Sequence, residues 1–131
     1  MKRRILYITA FCIYIGAILY LCLTKPDNLP QTEFLIFGLP ADKVAHFTMF
    51  FPFPILMYLM FFDRSRSRWK DMLILVAAIA LGIGAAFGTE YLQALTQYRS
   101  SDIKDTFADI KGLSTGALIV FTHILLRKRT A

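Results

Sequence analysis

Four apolar runs separated by short polar stretches frame this chain. They cover Ile5–Thr24, Val44–Phe62, Met72–Gly88 with an extension towards Thr96, and Thr106–Leu126. A helix needs about 20 predominantly apolar residues to cross a bilayer. Each run is near that length. The pattern therefore predicts an all-α fold, a bundle of four transmembrane helices over about residues 5–24, 44–62, 72–96 and 106–126. The connections are short, and 131 residues suffice for one domain, so residues 1–131 read as a single integral-membrane unit.

The polar positions inside these runs are ordered. The second helix opens with Asp42-Lys-Val-Ala-His46. At about 100° per residue, Asp42, Lys43 and His46 point broadly one way, with His46 about 6 Å further along the axis than Asp42. Asp42 reads as the N-cap, and Pro52 and Pro54 should kink the span. In the third helix Ala86, Glu90, Gln93 and Gln97 share a face, and Gly84-x-x-x-Gly88 has the small-residue spacing that lets helices approach closely. In the fourth, Asp105, Asp109, Gly112 and Gly116 fall within an arc of about 60°. Its acids sit in the first turns, where the helix dipole favours them.

Charge adds an orientation. Of fifteen Lys and Arg residues, ten lie before the first run, between the second and third, or after the fourth. Those ends alternate to one side, which the positive-inside rule makes cytoplasmic. Both termini are then expected inside, and the loops Lys25–Lys43 and Thr96–Asp105 outside. Seven of the nine acids fall in the outer half against five bases, so the net charge of +6 belongs to a basic inner rim. That rim suits anionic lipid headgroups and argues against nucleic-acid binding. MKRR followed by an apolar run resembles a signal peptide, but the run exceeds the usual apolar core and no A-x-A-like cleavage site follows. It is expected to be the first span.

The loops are less informative. Pro26 and Pro30 should end the first helix, and Phe34–Phe37 reads as a half-buried turn at the interface. Asp63–Asp71 reads as a solvated basic turn anchored by Trp69, Asp102 and Lys104 as solvated loop charges, and His123 as an interfacial residue. Cys12 and Cys22 lie ten residues apart on one helix and cannot pair. No recognised metal spacing or cofactor motif is present, and neither a metal nor a cofactor is expected.

Candidate chemistry gathers at the outer ends of three helices. His46 and Glu90 are candidate acid/base groups, with Asp105 and Asp109 as orienting carboxylates. Asp42, Lys43, Gln93 and Arg99 are candidate binding groups, Lys43 and Arg99 for an anionic headgroup. Ionisable groups in spans are costly and mark functional candidates. The competing reading is helix capping and mutual pairing near the interface.

The ordered set Asp42-Lys43-x-x-His46-Phe47, Glu90-x-x-Gln93, Arg99 and Asp105-x-x-x-Asp109-x-x-Gly112-x-x-x-Gly116 resembles the VanZ-like family. The resemblance covers about Asp42 to Leu126. It implies a small bacterial polytopic protein of the cytoplasmic membrane, in a family whose founding member is associated with resistance to the glycopeptide teicoplanin. The family pattern has Asn where this chain has Asp109. Two functions are open. One is an enzyme acting on a lipid-linked or cell-surface substrate, such as an envelope precursor. The other is a non-catalytic subunit that binds a lipid, a glycopeptide or another membrane protein. Homo-oligomer or partner contacts are expected through the Gly84/Gly88 or Gly112/Gly116 faces. A proton or ion path is disfavoured, because the inner halves of the helices are almost wholly apolar.

Overall fold

The computed structural model describes residues 2–24, 35–36, 39–97 and 102–127. Helix α1 spans Lys2–Leu23. Two short strands, β1 (Leu35–Ile36) and β2 (Leu39–Pro40), pair antiparallel, with Leu35 opposite Pro40. Helices α2 (Ala41–Phe50), α3 (Pro52–Phe61), α4 (Arg68–Leu95) and α5 (Ile103–Leu126) follow. Pro26, Pro30, Phe34 and Phe37, and with them most of the expected interfacial turn, lie outside the described residues.

Four helical segments are long and apolar enough to cross a membrane: Arg3–Leu23, Ala41–Phe61, Arg68–Leu95 and Ile103–Leu126. Three of them begin about a turn before the apolar runs do. Charged first turns are helical too, and hydropathy does not see them. Helix α4 has 28 residues, about 42 Å at 1.5 Å per residue, and so outreaches a hydrocarbon core about 30 Å thick.

The expected proline kink divides the second span into α2 and α3. Pro52 occupies the first turn of α3, where a missing N–H costs little. Phe51 keeps helical angles (φ −56°, ψ −44°), and its N–H donates to the Phe47 carbonyl at 3.0 Å. The ladder is interrupted without a sharp turn. Asp42 is not the cap. Pro40 precedes the helix, and Asp42 lies inside the first turn without a capping bond, where its charge still meets the positive helix end.

Helix α5 is the centre of the bundle and packs on α2, α3 and α4, while α1 lies against α3 and α4. The approach of α5 to the second span depends on two glycines. A Cβ on Gly112 would run into the backbone of Phe47, and one on Gly116 into the Phe51 carbonyl and Pro54. These glycines therefore serve contacts within the chain. Gly82, rather than Gly84 or Gly88, is the packing glycine of α4, set against Leu113. Gly84 and Gly88 have open space where a side chain would be. Gly88 borders an apolar groove between α1 and α4, with Ile15 and Leu92.

Two apolar clusters fill the bundle. Phe50, Phe53, Ala86 and Leu113 form one, joined by Phe11 and Tyr14 of α1. Tyr58, Leu75, Ala117, Val120 and Ile124 form the other. Each cluster adjoins a polar end.

At the end near Arg127 the basic turn is mostly exposed, as expected, but the acid that closes it is not. Asp71 is fully buried, and its carboxylate lies 2.9 Å from the Arg127 guanidinium, which is itself buried. Arg127 also donates to the carbonyls of Asp63 (3.3 Å) and Arg66 (2.7 Å), while Arg68 donates to the Arg127 carbonyl at 3.0 Å. The α3–α4 turn is thus clasped to the end of α5. His123 is exposed, and its ring sits edge-on to Tyr58 and Phe62. The Arg127 end is not wholly apolar. Its buried polar groups are spent on holding helix ends together.

Candidate functional site

The opposite end is built by α2, α4 and the start of α5. One face of α2 carries Asp42, Lys43 and His46. The inward face of α4 brings Glu90 and Gln93, buried one and two turns beyond buried Ala86. From α5 come Asp102 as the N-cap, Asp105 and Asp109. Gln97, expected on the same face of α4, is instead exposed. Burial rises from the rim inwards: the side chains of Asp42 and Asp102 are 53% and 42% exposed, and that of Asp109 is 0% exposed.

His46 is held by α5. Its Nδ1 lies 2.9 Å from Asp109 Oδ1, and its Nε2 lies 3.6 Å from Asp105 Oδ2. With Asp109 ionised, the tautomer assigned from this contact has Nδ1–H donating to the carboxylate and the lone pair on Nε2. A carboxylate on Nδ1 fixes the tautomer and orientation of the ring. The close packing of Gly112 on Phe47, the residue after His46, sets this spacing.

Glu90 also makes a structural contact. Its Oε1 accepts the backbone N–H of Asp102 and so ties α4 to the start of α5. The carboxylates on the His46 ring are those of Asp109 and Asp105.

Lys43 also departs from expectation. Its ammonium is 3.0 Å from carboxylate oxygens of both Asp42 and Asp102, and it donates to Asp105 as well. Three carboxylates thus surround the ammonium that was expected to face an anionic headgroup. Arg99, the other candidate cation, lies outside the described residues. Asp102 is no idle loop charge either. Its side chain accepts the Lys104 N–H at 2.9 Å, and that bond, with Lys43 beside it, holds its carboxyl below the ordinary aspartate range.

Four buried polar atoms at this end have no hydrogen-bond partner among the described residues: Glu90 Oε2, Gln93 Nε2, Thr106 Oγ1 and Asp109 Oδ2. Sequence reasoning missed Thr106. The available signal was its place one turn before Asp109, on the side turned to α4. It also missed Tyr14, whose hydroxyl donates to the Met49 carbonyl and pins α1 to α2. No group of three or more His, Cys, Asp or Glu side chains among the described residues is arranged to hold a metal ion.

Comparison with known proteins agrees with the sequence pattern. The family model described as VanZ/LLP1 matches residues 11–126, which extends the likeness into α1. An uncharacterized protein of the fission yeast Schizosaccharomyces pombe, C11E3.10, is 36% identical over 88 residues, covering 67% of this chain and 49% of that protein. The chain therefore spans about half the length of the curated relative it matches. No solved structure matches it.

Proposed function

The chain belongs to the VanZ/LLP1 family, and from that premise we propose that it works by acid–base chemistry on an amphiphilic, lipid-linked or cell-surface substrate at the outer leaflet of a bacterial cytoplasmic membrane. Four helices long and apolar enough to cross a membrane give it the form of a multi-pass membrane protein. The carrying observation is His46, 3% exposed and held at 2.9 Å by an equally buried Asp109. A buried imidazole on a carboxylate is expensive within a membrane span and suits proton transfer. In this reading Nε2 takes a proton from the substrate, Asp109 stabilises the imidazolium, and Asp105 faces the reacting edge of the ring. Glu90 positions the start of α5. The exposed carboxylates of Asp42 and Asp102 form a wet rim through which a headgroup enters while its chains stay in lipid. The basic residues at the opposite end support cytoplasmic termini and an outward-facing site.

The test is chemical. Wild type, His46→Asn and Asp109→Leu are expressed at matched levels, and envelope lipids are compared by mass spectrometry. A lipid change that depends on wild type and disappears in both variants supports the reading. Identical lipid profiles across wild type, both variants and a strain without the protein would refute it. Susceptibility to teicoplanin is a secondary readout, since an altered surface lipid changes access to the envelope. A label-accessibility test fixes the side: with Cys12 and Cys22 replaced, a cysteine at Asp42 should react with an impermeant reagent from outside.

A non-catalytic binding role is the second reading. The capture of Lys43 by three carboxylates favours it, because that arrangement recognises a charged group without needing chemistry.

A further inference from the structure

We propose that the polar end receives a primary ammonium group, carried by a zwitterionic lipid headgroup or by a free amine. This deepens the reading above by giving the substrate its headgroup chemistry, and it rests on that reading for the site's role.

Charge is the first argument. Five carboxylates (Asp42, Glu90, Asp102, Asp105 and Asp109) face the Lys43 ammonium, the exposed Lys104 beside Asp102 and one imidazole among the described residues. Near a low-dielectric bundle such a set repels an anion and draws a cation. Adding Arg99 to the count would not reverse the sign. Lys43 supplies the second argument. The chain already places a primary ammonium among Asp42, Asp102 and Asp105. The rim therefore has the geometry for R–NH₃⁺, with Lys43 as its resident occupant.

The orphaned atoms supply the third, independent argument, and they lie deeper than Lys43. Glu90 is 8% exposed, Gln93 and Thr106 are 2% and Asp109 is 0%. Glu90 and Asp109 each spend one oxygen, on the Asp102 N–H and the His46 ring respectively. The second oxygen of each, and the Thr106 hydroxyl, accept nothing among the described residues. Glu90 and Gln93 are one turn apart on α4, Thr106 and Asp109 one turn apart on α5, and these faces oppose one another across packed helices. Buried polar atoms without partners are costly. An ammonium has three N–H donors and no acceptor, which matches two carboxylate oxygens and a hydroxyl. The Gln93 amide, a donor, then meets an oxygen beside that nitrogen, as in an aminoalcohol or its phosphoester. A quaternary ammonium has no N–H and cannot satisfy the set. An anionic headgroup would add charge to carboxylates already close to one another.

The experiment uses the full chain in nanodiscs of phosphatidylcholine with equal minor fractions of phosphatidylethanolamine and phosphatidylglycerol. Retained lipid is counted by native mass spectrometry. Phosphatidylethanolamine should be retained about tenfold or more over the other two, the scale of one charge-assisted hydrogen bond. Glu90→Gln and Thr106→Val should erase that preference. Lys43→Met should strengthen it, because the competing internal ammonium is gone. A second arm titrates ethanolamine into phosphatidylcholine-only nanodiscs by calorimetry. Binding there without lipid selectivity supports the proposal and assigns the ammonium to a free amine. Equal or greater retention of phosphatidylglycerol overturns it. So does loss of headgroup retention in Lys43→Met, or phosphatidylethanolamine retained no better than phosphatidylcholine with no ethanolamine binding. Wild-type selectivity decides if a variant fails to give a monodisperse, helical protein. A His46-dependent lipid change with no ammonium selectivity would keep the acid–base reading and sink this one. Ammonium selectivity with no lipid change would do the reverse.

Discussion

Replacing Gly112 by alanine adds one methyl group at the point where α5 meets the backbone of α2. The new Cβ would lie 2.9 Å from the Phe47 carbonyl carbon, 3.1 Å from its Cα, and closer still to its oxygen. These are backbone atoms and cannot swing aside, so the helices must separate. Overpacking of this kind costs about 1–3 kcal/mol, and a backbone obstacle puts this case in the upper half of that range. Alanine returns up to about 1 kcal/mol through helix propensity. Gly112→Ala should therefore lose about 1–2 kcal/mol. Gly84 is the internal control, since nothing lies within 4 Å of its added Cβ. Gly84→Ala should be neutral or gain up to about 1 kcal/mol. Reversible unfolding in mixed micelles measures both. The displaced Phe47 neighbours His46, so ring NMR of His46 should show a weakened Asp109 contact in Gly112→Ala only. If Gly112→Ala proves as stable as Gly84→Ala, the close backbone approach is wrong, and with it the account of how His46 is positioned.

Three further outcomes are expected. Arg127→Met should destabilise the bundle by about 3–5 kcal/mol by stranding the buried Asp71, and Asp71→Leu with Arg127→Met should recover most of that loss in the same unfolding assay. Tyr14→Phe should cost about 1 kcal/mol through loss of its bond to the Met49 carbonyl, with faster hydrogen exchange in α1 than in α5. Asp102 has a depressed folded pKa, caused first by the Lys104 N–H and then by Lys43. Its support for the start of α5 is thus complete above the ordinary aspartate range and fades as pH falls through the lower folded value. A carboxyl NMR titration of Asp102 should show that low midpoint, and Lys43→Met should raise it.

The spans and the polar faces were legible in the sequence because both are periodic. Apolar length marked the helices, and the 3.6-residue repeat put Glu90 with Gln93 and Asp105 with Asp109. What periodicity cannot supply is the neighbour. Gly84-x-x-x-Gly88 has the spacing of a packing motif, yet Gly82 makes the contact, because the rotation of α4 is fixed by Leu113 and by Glu90 turning inwards. Lys43 looked free for an anion because its three carboxylates come from its own helix and from residues about 60 positions later. Arg127 looked like part of a solvated rim, since a run of bases does not reveal that one of them is buried on an acid about 56 positions earlier. The resemblance read from Asp42 onwards was narrower than the family match, which begins in α1.

The central place of α5 bears on synthesis. It is the last of the four spans to be made, and it supplies Asp105 and Asp109 to His46 and Lys43, the Asp102 amide to Glu90, and the approach to the Arg127 clasp. Until α5 inserts, a nascent chain holds the other three spans with their ionisable groups unmatched in lipid. A chain without α5 is thus conspicuous to membrane quality control, and arrival of α5 both completes the site and ends that exposure. Chains that stall before residue 127 should be degraded rather than accumulate as inactive bundles.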